Sequence, residues 1–373
     1  MKYIIMLLVL LISGCDNRSY TSINPETKEI TTVILNINDG VAYLPESKEP
    51  FTGKFVYICK KDGTGFNDKY STSHAEATWN TENQIEKEGI KGAVFSLKST
   101  DPVCIEENYI NGKRNGLSIS WNDNFKDTFN YNDGKLNGVS TLFCLKNIEE
   151  QICGEKNYKD GLKSGLSKGY SSEGELTYLR NEDNYKEGVQ SGLYKSYDKE
   201  GNQTLLYINT GRVSKDVIIA ATKNLTSEYD SIEEHTWYKS KFSTKKDATG
   251  ISAYLGKFKS RDDYTIWFRF KLLYKSYDWL FIHSFIVVAD DQRYEKDNLE
   301  FERDNNYSGI KEWYDNSAKD DDLIMIKAIV KSKNAIIRFK GSNTYEDYLI
   351  TSQEKEALKD VLEAYEALVA ATS

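Results

Sequence analysis

The chain is 373 residues long, more than one hydrophobic core usually serves, so two domains are expected. With 39% hydrophobic and 28% charged residues it is not a disordered polymer, and a net charge of −8 excludes nucleic acid as a partner, because gripping phosphates needs a basic face. Four prolines against 26 tyrosines and 24 glycines point to β structure joined by tight turns.

Lys2 and the apolar run from Tyr3 to Ile12 open the chain. That run is too short to span a bilayer and reads as the hydrophobic segment of a secretory signal. Ser13-Gly14-Cys15 closes it. The arrangement resembles the bacterial lipoprotein signal, which implies loss of residues 1–14, a diacylglyceryl group on the Cys15 sulfur and Cys15 as the mature N-terminus. Two or more buried acyl chains make such anchoring stable, at roughly 0.8 kcal/mol per methylene. The expected location is the bacterial cell envelope, lipid-anchored and facing the periplasm or the cell exterior. Asp16 after the lipid cysteine resembles an inner-membrane retention signal in hosts with an enterobacterial-type sorting system. Residues 15–30 are polar and aperiodic and read as a tether.

A repeat follows. Tyr109-Ile-Asn-Gly112-Lys-Arg-Asn-Gly116-Leu-Ser-Ile-Ser-Trp121 recurs from Tyr131 through Gly134 and Gly138 to Phe143. It recurs again from Tyr158 through Gly161 and Gly165 to Tyr170, and from Tyr185 through Gly188 and Gly192 to Tyr197. The intervals from tyrosine to glycine to glycine to aromatic are 3, 4 and 5 in every copy, and the copies step by 22, 27 and 27 residues. Asn-Gly, Asp-Gly or Glu-Gly at the first glycine predicts a tight hairpin turn with positive φ. The second glycine is expected to open the next strand and to admit a neighbouring backbone. Each copy is then one β-hairpin, marginal alone and stabilised by stacking on its neighbours.

These copies resemble the variant MORN repeats of bacterial proteins, including the YwqK-type antitoxin family. Pro50-Phe-Thr-Gly53-Lys-Phe-Val-Tyr57 looks like a further copy and Tyr207-Ile-Asn-Thr-Gly211 like a degenerate last one. The resemblance implies a stacked hairpin sheet over residues 31–212. Four cysteines lie inside it, and an even number in an exported chain predicts disulfides. Cys59 and Cys144 each lie six residues after a second-slot glycine, while Cys104 and Cys153 each lie five before a repeat tyrosine. The register therefore pairs Cys59 with Cys104 and Cys144 with Cys153. The first pair encloses an insertion at 60–100, expected to be the leading contact surface.

From residue 213 the glycine pattern stops. His235 to Ser240, Ile251 to Phe258, Tyr264 to Tyr274, Trp279 to Ala289, Gly309 to Trp313 and Ala335 to Phe339 are predicted strands. Leu323 to Ser332 is a predicted short helix, with Asp320, Asp321 and Asp322 before it complementing its macrodipole. Thr351 with Glu354 three residues on predicts a capping box, and Leu358, Val361, Leu362, Tyr365 and Leu368 form one apolar helical face. Thr236-Trp237-Tyr238, Trp279-Leu-Phe-Ile282 and Arg338-Phe-Lys-Gly341 resemble an uncharacterised domain of other bacterial exported proteins. The fold class expected is mainly β, a stacked β-hairpin MORN-like repeat sheet followed at 213–373 by a β-rich α+β domain with a closing C-terminal helix.

Chemistry is sparse. His74, His235 and His283 are far apart and match no triad or metal signature, the cysteines lack Cys-x-x-Cys spacing, and the aspartate run lacks the spacing of a calcium loop. No catalytic residue, metal or cofactor is assigned. The expected function is that of a membrane-anchored, non-enzymatic binding or scaffolding module for another protein or an envelope glycan. The alternatives are an antitoxin-like immunity protein and, from a different class, a hydrolase site built from distant carboxylates of the C-terminal domain. Metabolic labelling with radioactive palmitate is expected to mark the wild-type chain and not the Cys15→Ala variant. Equal labelling of the two would contradict lipidation at Cys15.

Overall fold

The computed structural model describes residues 18–23, 30–43, 47–58, 60–61, 70–71, 103–121, 125–146, 149–173, 176–211, 213–243, 248–260 and 263–372. Cys15, Cys59 and most of the 60–100 insertion lie outside them. The protein is mainly antiparallel β, with three helices among the described residues, α1 (Lys215–Ala221), α2 (Asp320–Lys331) and α3 (Ser352–Thr372). The chain divides into two compact units, Met1–Leu162 and Lys163–Ser373. The division falls inside the third repeat copy, well before the change of pattern at residue 213.

Each repeat tyrosine is the last residue but one of its strand, and the second and third residues after it form a turn in which both are left-handed. In the second copy Asp133 has φ +47° and Gly134 φ +82°, the pair of positive angles that a hairpin turn of the primed type demands. A two-residue strand follows, Lys135–Leu136, and a long one begins at Gly138. The second glycine opens the next strand as expected, but the reason placed on it needs correction. Gly116 has φ +81° with open space where a Cβ would stand, and Gly138 has φ +95° with only Asn130 Cβ nearby, at 3.7 Å. The residue is glycine because the chain turns through a left-handed bulge there, not because a backbone crowds it.

A residue overlooked in the repeat explains how the turn is held. Asparagine precedes the tyrosine in all four copies, as Asn108, Asn130, Asn157 and Asn184. The side-chain amide of Asn108 donates to the Leu117 carbonyl (2.6 Å), that of Asn130 to Val139 (2.8 Å) and that of Asn184 to Leu193 (2.8 Å). These carbonyls sit just beyond the bulge, where the ladder is interrupted and would otherwise lack a partner. Successive copies are stitched by backbone. Gly134 N–H donates to the Arg114 carbonyl, Gly161 to Leu136 and Gly188 to Lys163, each at 2.8 Å. Side chains add to this, with the Arg114 guanidinium 5.1 Å above the Tyr131 ring and Lys163 4.7 Å above that of Tyr185. Cys144 and Cys153 form a disulfide with Cα atoms 5.6 Å apart, across the hairpin of Gly138–Lys146 and Glu149–Lys159. Cys104 lies on strand Val103–Ile110.

After the repeats the strands are β1 (Leu225–Asp230), β2 (His235–Ser240), β3 (Gly250–Ser260), β4 (Asp263–Ser276), β5 (Ser284–Ala289), β6 (Gln292–Lys296), β7 (Glu302–Asn306), β8 (Gly309–Ser317), β9 (Ala335–Lys340) and β10 (Tyr345–Leu349). One antiparallel sheet runs β1-β2-β3-β4-β8-β7 and a second β6-β5-β9-β10. Helix α3 covers one face of the first sheet. Its Leu358, Val361, Leu362, Tyr365 and Leu368 are buried with Ile251 and Leu255 of β3 and with Ile266, Phe268, Phe270 and Leu272 of β4. The helix starts at the predicted capping box. Thr351 Oγ1 accepts the Glu354 N–H (3.2 Å) and Glu354 Oε2 accepts the Thr351 N–H (2.8 Å). The same carboxylate also takes the Ile251 N–H (3.0 Å), which ties the helix start to β3.

Two C-terminal expectations need correction. Residues 279–283 are not strand, because the buried Glu312 carboxylate accepts the N–H groups of Leu280 (2.7 Å), Phe281 (2.9 Å) and Ile282 (2.7 Å). Donors spent on a carboxylate cannot join a ladder. Helix α2 begins at Asp320, not Leu323, so the three aspartates form its first turn, and Asp322 accepts the Lys319 N–H at 2.9 Å. The turn argument predicts that Gly116→Ala costs about 1–2 kcal/mol, with Gly116→Asn recovering part of it. Urea denaturation checks this, and an unchanged midpoint for Gly116→Ala would contradict the conformational role.

Candidate site on the outer face of the C-terminal sheet

The face of the first sheet that α3 leaves uncovered has an unusual composition. In β4 the even positions from Ile266 to Leu272 are core, so Trp267, Arg269 and Lys271 point the other way. The neighbours continue this selection. Trp237 and Lys239 stand on β2, Ser252 and Tyr254 on β3, Lys311, Trp313 and Asp315 on β8, and Asp304 on β7. Register places Lys239 opposite Tyr254 and Tyr254 opposite Arg269, while Lys271 lies opposite Asp315 and Leu273 opposite Trp313. All of these but Trp267 and Arg269 line a groove of about 690 Å³ that runs from Thr226 on β1 to Asp304 on β7.

One end is an aromatic cluster. The Trp237 ring meets Tyr254 at 5.5 Å and Trp267 at 5.8 Å, both edge to face. Trp267 lies across Gly256, where a Cβ would collide with the indole, so this glycine is needed for close approach. His235 sits among Trp237, Phe258 and Trp267 at 5.2 to 5.6 Å, where its ring serves as one more aromatic wall. His283 is exposed and lies before β5, in a different part of the domain.

The middle is a charged triad. Tyr254 donates to Asp315 Oδ1 at 2.6 Å, and Arg269 holds the same oxygen from Nε (3.1 Å) and the Asp315 carbonyl from Nη2 (2.8 Å). Burial, then the hydrogen bond to Asp315 and its charge, push the Tyr254 hydroxyl far above the ordinary phenol range, so it stays a donor. Lys271 stands 3.9 Å from Asp315 and 5.3 Å above the Trp313 ring, and Lys239 5.9 Å above Tyr254. Lys239, Arg269, Lys271 and Lys311 thus meet Asp304, Asp315 and Glu228, the last paired with Lys239 at 3.8 Å.

Chemically this surface is built to grip. It presents flat rings, N–H and O–H donors and lysine ammonium groups. Among the described residues no group of three or more His, Cys, Asp or Glu side chains could hold a metal ion. The sequence reading placed the contact surface at the 60–100 insertion and the repeats, and missed this face. Its signal was present. Trp237/Lys239, Trp267/Arg269/Lys271 and Lys311/Trp313/Asp315 each repeat with the period of two that puts them on one side of a strand. The repeat glycines Gly134, Gly161 and Gly188 sit in turns and donate backbone hydrogen bonds, and the disulfide Cys144–Cys153 lies apart from the C-terminal sheet in sequence.

No family model, curated protein or solved structure matches the chain. The triad is expected to contribute measurably to stability. Asp315→Asn should cost about 1.5–3 kcal/mol, the range for hydrogen bonds to a charged group, against under about 0.5 kcal/mol for the exposed Asp304→Asn. Equal urea midpoints for the two variants would contradict the triad.

Proposed function

We propose that this protein is an exported, lipid-anchored binding module of a bacterial cell envelope, which holds a partner without transforming it. The variant MORN-like repeats serve as its scaffold. The observation that supports the reading most directly is the outer face of the C-terminal sheet, where Trp237, Tyr254, Trp267 and Trp313 are interleaved with Lys239, Arg269 and Lys271. Solvent-facing strands seldom carry such a set. Tryptophan, tyrosine and arginine are the residues that dominate the energetics of binding surfaces, and the groove crosses six strands, roughly 24 Å at the usual strand spacing. A shallow groove of that length suits an extended partner, a protein segment or an envelope glycan, better than it encloses a small substrate. Nucleic acid is not proposed, given the acidic chain.

The Cys15 anchor would fix this surface at a membrane and so confine its partners to the envelope. The test is chemical crosslinking of the lipidated protein in its own host membranes, followed by capture, with Cys15→Ala and Trp237→Ala/Trp313→Ala variants. Loss of a dominant tryptophan anchor typically costs 2 kcal/mol or more, about 30-fold in affinity, so the double variant should recover little partner. Undiminished capture would move the contact surface back to the repeats. A single dominant partner that is a toxin encoded beside this chain would replace the reading with the antitoxin one.

A further inference from the structure

The sheet groove sets two of its lysines beside aromatic rings. Lys271 Nζ lies 5.3 Å above the Trp313 ring and Lys239 Nζ lies 5.9 Å above that of Tyr254. Their carboxylate contacts are long. Lys271 reaches Asp315 at 3.9 Å and Lys239 reaches the exposed Glu228 at 3.8 Å, against about 2.8 Å for a charge-assisted hydrogen bond. Asp315 is held instead by Arg269, from Nε at 3.1 Å and Nη2 at 3.0 Å. Both lysines therefore keep N–H donors to offer a ligand. Lys239, Arg269, Lys271 and Lys311 also outnumber Asp304, Asp315 and Glu228, so this surface is positive in a chain whose net charge is −8. Its charge selects an anionic occupant.

The floor narrows the class further. An extended peptide gains affinity from main-chain hydrogen bonds to an open sheet edge, and a helical one needs an apolar trough. Here β2, β3, β4 and β8 are each paired on both sides, so the floor offers no free backbone ladder, and its lining is charged. A glycan needs neither feature. Its sugar rings lay their C–H faces on aromatic rings, and its hydroxyls bond to side chains such as Ser252 and Asp304, which line the same groove. From the lysines set beside rings, the positive lining and the closed floor we infer that the groove binds a linear acidic glycan whose sugars carry carboxylates. A sugar face lies on Trp313 or Tyr254 while its carboxylate accepts from Lys271 or Lys239. This inference names the partner of the sheet face and rests on the reading of that face as the contact surface.

Titration calorimetry on the intact lipidated protein tests it, with oligogalacturonate and a hyaluronan oligosaccharide as probes and their carboxyl-reduced forms as controls. At least one acidic probe should bind, more weakly as salt is raised, and its reduced form should bind about 10-fold or more weakly still, the value of one hydrogen bond to a charged group. Lys271→Gln should cost a similar factor with thermal unfolding unchanged. Trp313→Ala should cost about 30-fold, with Trp313→Phe recovering part of it. Failure of both acidic probes to bind would overturn the acidic glycan, as would equal binding of the reduced forms, of polyglutamate or of a single-stranded oligonucleotide. In that event the crosslinking capture through Trp237 and Trp313 still decides the contact surface independently. Acidic-glycan binding untouched by both Lys271→Gln and Trp313→Ala would place the glycan elsewhere and overturn this site.

Discussion

The strand pleat, with one helix to cover it, is the constraint on which the C-terminal unit depends. Side chains on β2, β3, β4 and β8 alternate between two faces, and α3 can bury only one of them. The Glu354 carboxylate fixes which. It closes the capping box with Thr351 and takes the Ile251 N–H, so the helix starts against β3 and its leucines descend on Phe268 and its neighbours. Everything at odd positions of β4 is then committed to the other side. The aromatic and charged groove follows from that commitment, and the strands that carry it are backed by the buried cluster that α3 forms with β3 and β4.

The same carboxylate logic recurs at Glu312. It points into the core from β8, accepts three successive N–H groups of 280–282 and is met by Arg303 at 3.0 Å. A buried charge survives only when so fully engaged. Its neighbours in β8, Lys311 and Trp313, consequently face outward into the groove. One strand thus carries a structural anion on one side and groove residues on the other, with the pleat keeping the two apart.

Much of this was legible from residue patterns. The hairpin repeats followed from the fixed tyrosine and glycine intervals, and the C-terminal helix from Thr351, Glu354 and five apolar residues at helical spacing. The capping box was found as expected because its interactions are local. What could not be read depends on partners remote in sequence. Residues 279–283 look like strand by composition, and only the distant Glu312 shows why they are not. The second repeat glycine was assigned to crowding when a dihedral angle was the cause, a distinction that spacing does not carry. The asparagine before each repeat tyrosine was visible but overlooked, since its role needs a carbonyl nine residues away. The groove was missed because Trp237, Tyr254, Arg269 and Trp313 are spread over four strands, and register alone brings them together.

The central claim is that the uncovered sheet face is where this protein meets its partner. Hydroxyl-radical footprinting of the lipidated protein, in host membranes and again in vesicles of pure lipid, tests it most directly. The account predicts several-fold lower oxidation of Trp237 and Trp313 in host membranes, with repeat tyrosines such as Tyr131 and Tyr185 unchanged. Equal oxidation of the two tryptophans in both settings, with protection appearing along the repeat tyrosines instead, would contradict it.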